Sequence, residues 1–340
     1  MPDFSIGVDL GGTNLRIAAV STDGQMLEKV TLGTKLASGP DQVVSEMCGA
    51  IQRLSEQFRR AGSFLGAGFG IPGIIDMETG TVRKSANLPG WSDYPVREEI
   101  ERRLALRIFL ENDANAAALG EQWLGAARDV PSMAIVTLGT GIGGAIVLNG
   151  RIWHGMNGMA GEFGHVPIEP EGVPCGCGSH GCAERYASAT AVVRMAREAI
   201  ASGAAPALAK AAGSDAEFSA KSIYNLALQG DEDARRIFRR FGKALGMLLA
   251  GLVNGLNLDM YVIGGGVSSA WDAFAPTMFK ELRQRSLIYA ATEPEGALGR
   301  SEGAAAQVPV RSGKNTIITR ALLGSDAGLY GASHIPVVGF

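Results

Sequence analysis

FSIGVDLGGTNLRIAAV, Phe4–Val20, reads as an apolar run, a glycine turn and a second apolar run. That is the pattern of two strands joined by a hairpin, not of a strand feeding a helix. It excludes the glycine loop of a dinucleotide-binding Rossmann unit, and no GxxxxGK(S/T) stretch supplies a Walker-type phosphate loop. The same grammar restarts at Ala134 as AIVTLGTGIGGAIVLNG, with LGTGIGG standing where DLGGTN stood. A period of about 125 residues is far too long for a solenoid and matches one domain length. The chain therefore reads as two α/β units related by a diverged duplication.

Working outward, the first copy continues with a strand at Met26–Thr31, a helix at Asp41–Arg60, a strand at Gly66–Ile71, a helix at Val96–Leu104 and a strand at Arg107–Leu110. A strongly helical run, Ala114–Leu124, follows. After the second hairpin the expected elements are helices at Ala183–Ser202 and Ser222–Leu228, separated by a glycine, alanine and proline-rich connection near Ala201–Gly213. A long helix spans Asp231–Leu256, where Phe238, Phe241, Leu245, Leu248, Leu252 and Leu256 recur at three- and four-residue steps as one buried stripe. A strand at Met260–Ile263 then meets Gly264–Gly266 ahead of a further helix, and a last helix is expected at roughly Thr316–Tyr330.

Composition bounds the function. With 340 residues, two domains of ordinary size are the default. The 31 basic and 34 acidic residues are well mixed and give a formal charge of −3, so no positive block addresses a nucleic acid or an anionic membrane. MPDFSIGVDLGG has no secretory signal pattern, and the longest apolar run, Ala244–Val253, is too short for a bilayer. A cytoplasmic protein is expected. Cys48 lies in an expected helix and reads as a small buried apolar group.

Chemistry concentrates in GEFGHVPIEPEGVPCGCGSHGCAERY, Gly161–Tyr186, where His165, Cys175, Cys177 and Cys182 form a complete Cys3His zinc set. Gly176, Gly178 and Gly181 are expected to let the loop close around one ion. A disulfide is the competing reading, but three local cysteines cannot pair fully and nothing points to an oxidising compartment. Glu162 and Glu184 flank the knuckle, and carboxylates fixed by a metal loop suit a polyol with many hydroxyl donors; ordinary surface charge is the alternative.

Elsewhere, Gly11 and Gly12 allow backbone amides to converge on an anion, and Gly139, Thr140 and Gly141 can do the same from the second copy. Two such hairpins would clamp a polyphosphate, with hydroxyls from Thr13 and Thr140, Asp9 placed for magnesium, and Gly264–Gly266 admitting a nucleoside. Either hairpin alone could be no more than a turn. Asp113, in LENDANAAALGE, follows an apolar strand and is the candidate base for phosphoryl transfer to an alcohol; the competing role is a helix N-cap.

Together these residues resemble the ROK family of repressors, open reading frames and sugar kinases. The resemblance rests on LGTGIGGAIV from Leu138, on Gly155 and Gly158, on GMAGEFGH ending at His165, and on CGCGSHGCAERYAS from Cys175. It implies an actin-like ATPase (ribonuclease H-like) fold of two lobes with duplicated topology and an interlobe cleft. One lobe would hold residues 1–112 plus about 317–340, with the final helix returning to it, and the other 113–316 with the zinc loop. It also implies that Asp113 takes the proton from a sugar 6-hydroxyl while Gly73, Asn87, Asn112, Glu162, His165 and Glu184 bind the sugar. Asp9, Gly11, Gly12, Thr13, Gly139, Thr140, Gly141, Gly265 and Gly266 would hold MgATP, and one nitrogen of His165 would face zinc and the other the sugar.

The implied activity is that of the family's zinc-containing bacterial glucokinases, ATP-dependent phosphorylation of glucose at O6. N-acetylglucosamine, N-acetylmannosamine, mannose and fructose remain open as substrates. A sugar-responsive regulator is the other class. Such relatives add an amino-terminal helix-turn-helix module, for which the eight residues before DLGGTN leave no room. A homodimer is expected. The segments Ala201–Asp215 and Thr292–Gln307 match the family weakly.

Overall fold

A computed structural model gives the fold and describes residues 2–60, 62–85, 87–203, 205–214, 218–294 and 315–339. In chain order the elements are β1 (Phe4–Leu10), β2 (Asn14–Ser21), β3 (Met26–Gly33), α1 (Pro40–Phe58), β4 (Phe64–Ile71), β5 (Ile74–Asp76), β6 (Thr81–Lys84), α2 (Val96–Leu104), β7 (Ile108–Asn112) and α3 (Asp113–Trp123). They continue as β8 (Met133–Leu138), β9 (Ile142–Leu148), β10 (Arg151–Ile152), α4 (Ala189–Ala201), α5 (Pro206–Ser214), α6 (Ala220–Leu228), α7 (Glu232–Leu256), β11 (Met260–Gly264), α8 (Trp271–Arg285), α9 (Leu287–Thr292), β12 (Ile317–Arg320) and α10 (Ala327–Val338).

The duplication is written in the sheets. One runs β3-β2-β1-β4-β7 and the other β10-β9-β8-β11-β12. In the first, β1 pairs antiparallel with β2 and parallel with β4, and β4 pairs parallel with β7. The second repeats this, with β10 antiparallel to β9 and β11 parallel to both β8 and β12. Each copy is a hairpin grown outward into parallel strands, the parallel ones reached through helical crossovers.

The chain divides into two compact units, Met1–Pro131 with Ala145–Gly161 and Leu322–Phe340, and Ser132–Gly144 with Glu162–Ala321. Helix α3 thus belongs to the first unit, although a boundary before Asp113 was expected. So does α10, the returning final helix. It packs so closely that a β-carbon at Gly331 would lie 1.6 Å from the Ala116 carbonyl oxygen of α3, and one at Gly68 in β4 would lie 2.0 Å from the Ala332 carbonyl oxygen. Ser5 Oγ in β1 donates to the Ser333 carbonyl at 2.5 Å. On the opposite face the sheet buries Phe4, Ile6, Val8, Phe69 and Leu110 against Val44, Met47, Ile51 and Leu54 of α1.

Three expected elements fail. The connection near Ala201–Gly213 contains α5, because its alanines outweigh the proline, which sits harmlessly at the first helical position. The last helix does not start at Thr316: Ile317–Arg320 form β12, whose β-branched residues pair with Met260–Ile263, and α10 begins only at Ala327. The expected Ala183–Ser202 helix is also interrupted; a 3₁₀ turn at Ala183–Arg185 precedes α4, which starts at the Ser188 cap. Of the weakly matching segment Thr292–Gln307, residues 295–307 lie outside the described residues.

Glu121, fully buried in α3, holds the chain leading into α10. Its Oε1 accepts from the Leu323 amide at 2.8 Å, and its Oε2 accepts from the amides of Ala126 at 2.8 Å and Leu322 at 3.1 Å. Charged acceptors make the stronger hydrogen bonds, and stranded buried amides are expensive. Glu121→Ala is expected to lower unfolding free energy by about 3–4 kcal/mol in urea titration, with Glu121→Gln losing less. An unchanged urea midpoint in Glu121→Ala would refute this role.

Candidate active site

Parallel strands align the first unit's candidates at their carboxyl ends, where open α/β sheets bind ligands. Asp9 is level with Gly70 in the sheet, and Gly70 with Glu111. Beyond Asp9 the chain turns through Gly11–Thr13, closed by a 2.8 Å hydrogen bond from the Gly11 amide to the Asn14 carbonyl and by Thr34 Oγ1 donating to the Gly11 carbonyl at 2.7 Å. A β-carbon at Gly12 would sit 2.8 Å from the Asn87 carbonyl oxygen, so the hairpin and the Asn87 loop touch. Thr13 and Asn87 are exposed.

Asp9 is buried and ion-paired with Arg16, its cross-strand partner, at 2.5 Å. Burial pushes its carboxyl above the ordinary range, and Arg16 opposes that shift. Arg16 carries no signal in the hairpin motif; only the antiparallel register reveals it.

The cap of α3 is Asn112, not Asp113. Asn112 Oδ1 accepts from the amides of Ala114 at 2.9 Å and Asn115 at 3.4 Å, while Nδ2 donates to the Gly73 carbonyl at 3.2 Å. Both residues are good caps on propensity. The extended backbone of Asn112, φ −67° and ψ 149°, takes that position and puts Asp113 in the first turn. The side chain of Asn112, assigned by resemblance to sugar, is thus engaged with protein on both its atoms. Asp113 Oδ1 accepts from the Ala114 amide at 2.9 Å.

Beneath this turn lies a carboxylate that the sequence reading passed over. Glu111 is 1% exposed; its Oε1 accepts from the Asn112 amide at 2.8 Å and from Asn115 Nδ2 at 2.7 Å, and its Oε2 sits 2.7 Å from His154 Nε2. The hydrogen bond to the Glu111 carboxylate raises the His154 pKa above its ordinary value against the opposing effect of burial.

In the second unit the knuckle is assembled. His165, Cys175, Cys177 and Cys182 each offer a donor atom within 4.8 Å of the others. Cys177 and Cys182 sulfurs are 3.7 Å apart, as are Cys175 Sγ and His165 Nδ1. All four cysteines are free thiols, and 3.7 Å is far beyond a disulfide bond. Tetrahedral ligands held about 2.3 Å from one ion stand about 3.8 Å apart, so the donor set fits zinc in both chemistry and spacing. The fold demands glycine at Gly178, where φ is +95°, and most strictly at Gly181, where φ is +67° and a β-carbon would lie 1.5 Å from the Glu169 carbonyl oxygen. Gly176 meets nothing and has no such need. Burial pushes the Cys175 thiol up to about 12, while hydrogen bonding from the Ser179 backbone holds Cys177 below the usual thiol range. His180, inside the same loop, is exposed and outside the cluster.

The knuckle reaches both flanking acids and the second hairpin. Glu184 Oε1 accepts from Cys175 Sγ at 3.2 Å and stands 3.8 Å from His165 Nδ1; Glu162 Oε2 is 3.9 Å from His165 Nε2. A β-carbon at Gly141 would meet Glu184 Oε2 at 2.6 Å. One turn on, the Ala189 amide donates to the Gly139 carbonyl at 2.9 Å and Thr190 Oγ1 to the Thr140 carbonyl at 2.7 Å. Gly265, with φ +81°, would place a β-carbon 2.4 Å from the Leu138 carbonyl oxygen, so the Gly264–Gly266 turn lies against the root of this hairpin. Thr140, Gly265 and Gly266 are exposed.

The candidates therefore fall into two sets. Asp9, Gly11–Thr13, Gly73, Asn87, Asn112 and Asp113 belong to the first unit, and Gly139–Gly141, Glu162, His165, Glu184, Gly265, Gly266 and the three cysteines to the second. The ROK family profile matches residues 5–335, and the chain belongs to that family. It is 37% identical over 332 residues to a glucokinase of Halalkalibacterium halodurans, covering 97% of this chain and 94% of that one. It is 40% identical over 284 residues to a glucokinase of Thermotoga maritima, covering 84% and 87%. A ROK glucokinase from Streptomyces griseus, solved with glucose and AMPPNP, superposes with a TM-score of 0.77 at 31% identity over 99% of this chain and 100% of that one. The fold is the duplicated actin-like ATPase fold. Among the described residues no helix is long and apolar enough to cross a membrane.

Proposed function

We propose that this chain is an ATP-dependent hexose kinase that phosphorylates glucose at O6. The observation that carries the reading is the turn at β7: Asn112 performs the cap, so Asp113 stands in the first turn of α3, at the same sheet edge as Asp9 and its glycine hairpin. Glucose and AMPPNP in the Streptomyces griseus relative support the two substrates. In the proposed reaction Asp113 accepts the O6 proton, O6 bonds to the γ-phosphorus, and the bond from that phosphorus to the β,γ-bridging oxygen breaks to release ADP.

Gly11–Thr13 and Gly139–Gly141 would donate amides and hydroxyls to the phosphates, Asp9 would hold magnesium, and Gly265 and Gly266 would leave space for the nucleoside. Gly73, Asn87, Asn112, Glu162, His165 and Glu184 would address the sugar. The metal at His165, Cys175, Cys177 and Cys182 would be zinc in a closed structural site, fixing the loop that carries Glu162 and Glu184. The reading extends to a cytoplasmic homodimer with no nucleic-acid or membrane partner.

Coupled detection of ADP with MgATP across a hexose panel tests the proposal. Glucose is expected to give the highest kcat/KM. Turnover confined to an N-acetylated sugar would keep the chemistry and replace the substrate, and no turnover with any sugar would end the kinase reading.

A further inference from the structure

Glu111 and His154 lie outside the set of groups assigned to sugar, nucleotide or metal, yet they meet directly behind Asp113. Three donors converge on the Glu111 carboxylate: the Asn112 amide, the Asn115 side-chain amide and His154 Nε2, at 2.7–2.8 Å. The first two come from residues that flank Asp113 in sequence. The third comes from the segment after β10, 43 residues away along the chain. A buried carboxylate is tolerated only when its charge is compensated and its lone pairs are used. Removing His154 would leave that charge held by the Asp113 turn alone, and the turn would have to readjust around it.

We propose that Glu111 and His154 are a positioning pair: the imidazole anchors the buried carboxylate, and the carboxylate fixes the turn that presents Asp113. Neither residue touches sugar or nucleotide in this role. The proposal rests on reading Asp113 as the base. A misplacement of about 1 Å at a reacting group costs about 10²-fold in rate, so the pair controls turnover through geometry. His154 also lines, with Glu111, Arg97 and Arg107, a cavity of about 860 Å³, so a small molecule in solution can reach the space its ring occupies.

The test is steady-state kinetics of His154→Ala, His154→Gln, Asn115→Ala and Asp113→Asn, with and without added imidazole. His154→Ala is expected to lose about 10²-fold in kcat with KM for glucose within about threefold of the parent. Imidazole should restore part of that kcat, and His154→Gln, which keeps a donor, should retain most of it. Asn115→Ala removes a second clasp and should show the same kcat-only loss. Should His154→Ala fail to fold, His154→Gln and Asn115→Ala decide the matter. Parent-level kcat in His154→Ala or Asn115→Ala, a loss expressed only in KM, or a loss that neither glutamine nor imidazole relieves would overturn the proposal. Asp113→Asn separates the two readings: if it turns over like the parent, the base assignment fails, whereas an inactive Asp113→Asn beside a fully active His154→Ala removes only the positioning pair.

Discussion

Asp113→Asn is expected to lower kcat by about 10²–10⁴-fold while glucose still binds, because the substitution removes the proposed proton acceptor. The amide is nearly isosteric, and its Oδ1 can still accept from the Ala114 amide as the carboxylate does at 2.9 Å. Helix α3 should not fray, since its cap is Asn112. Calorimetric titration with glucose and a thermal melt would therefore stay close to the parent while turnover collapses. Turnover within threefold of the parent would remove Asp113 from the mechanism. A fall in melting temperature matching the loss of rate would reassign it to a structural role, one that its place after the cap argues against.

Loss of the proposed zinc is the second large effect. Chelation, or Cys182→Ser, is expected to abolish hexose turnover and leave the chain with less than one bound zinc by metal analysis. The free energy of structural zinc sites, about 10–16 kcal/mol in small finger peptides, is folding free energy of the loop that holds them. Here that loop carries Glu162 and Glu184 and runs on into the Ser188 cap, where Ser188 Oγ donates to the Glu184 carbonyl at 2.7 Å and the Ala189 amide holds the Gly139 carbonyl. Demetallation should thus weaken nucleotide binding as well as sugar binding, since Gly139–Gly141 is tied to the same segment. A metal-free protein with full activity would reduce the knuckle to a bystander.

These two sites differ in how far the sequence reveals them. The knuckle is legible because its ligands are local: one imidazole and three thiols within one loop state their own chemistry. The repeated glycine hairpin is legible because strand, turn and strand occupy a contiguous stretch, and its second occurrence announces the duplicated sheet. The cap of α3 is not, because Asn112 and Asp113 are adjacent and equally suited; only the backbone dihedrals separate them. Residues joined by the sheet or across loops leave no local trace, which hides Arg16 beside Asp9, His154 beside Glu111, and the Leu322 and Leu323 amides on Glu121. The strand at Ile317–Arg320 fails for the same reason. Four residues carry too little periodicity to compete with a helical reading, and what makes them a strand is β11, more than fifty residues earlier in the chain.

Helix α10 gives the first unit an unusual order of assembly. Its backbone fits against Gly68 and Ala116 with no room for a side chain at the contact, and the strands it covers were made at the start of the chain. On the ribosome β1, β4 and α3 emerge long before Ala327–Val338, so the part of that sheet face and of α3 that α10 will cover must wait open through synthesis of the whole second unit. That exposed interval is where a chaperone would bind, and where a stalled or clipped chain would aggregate.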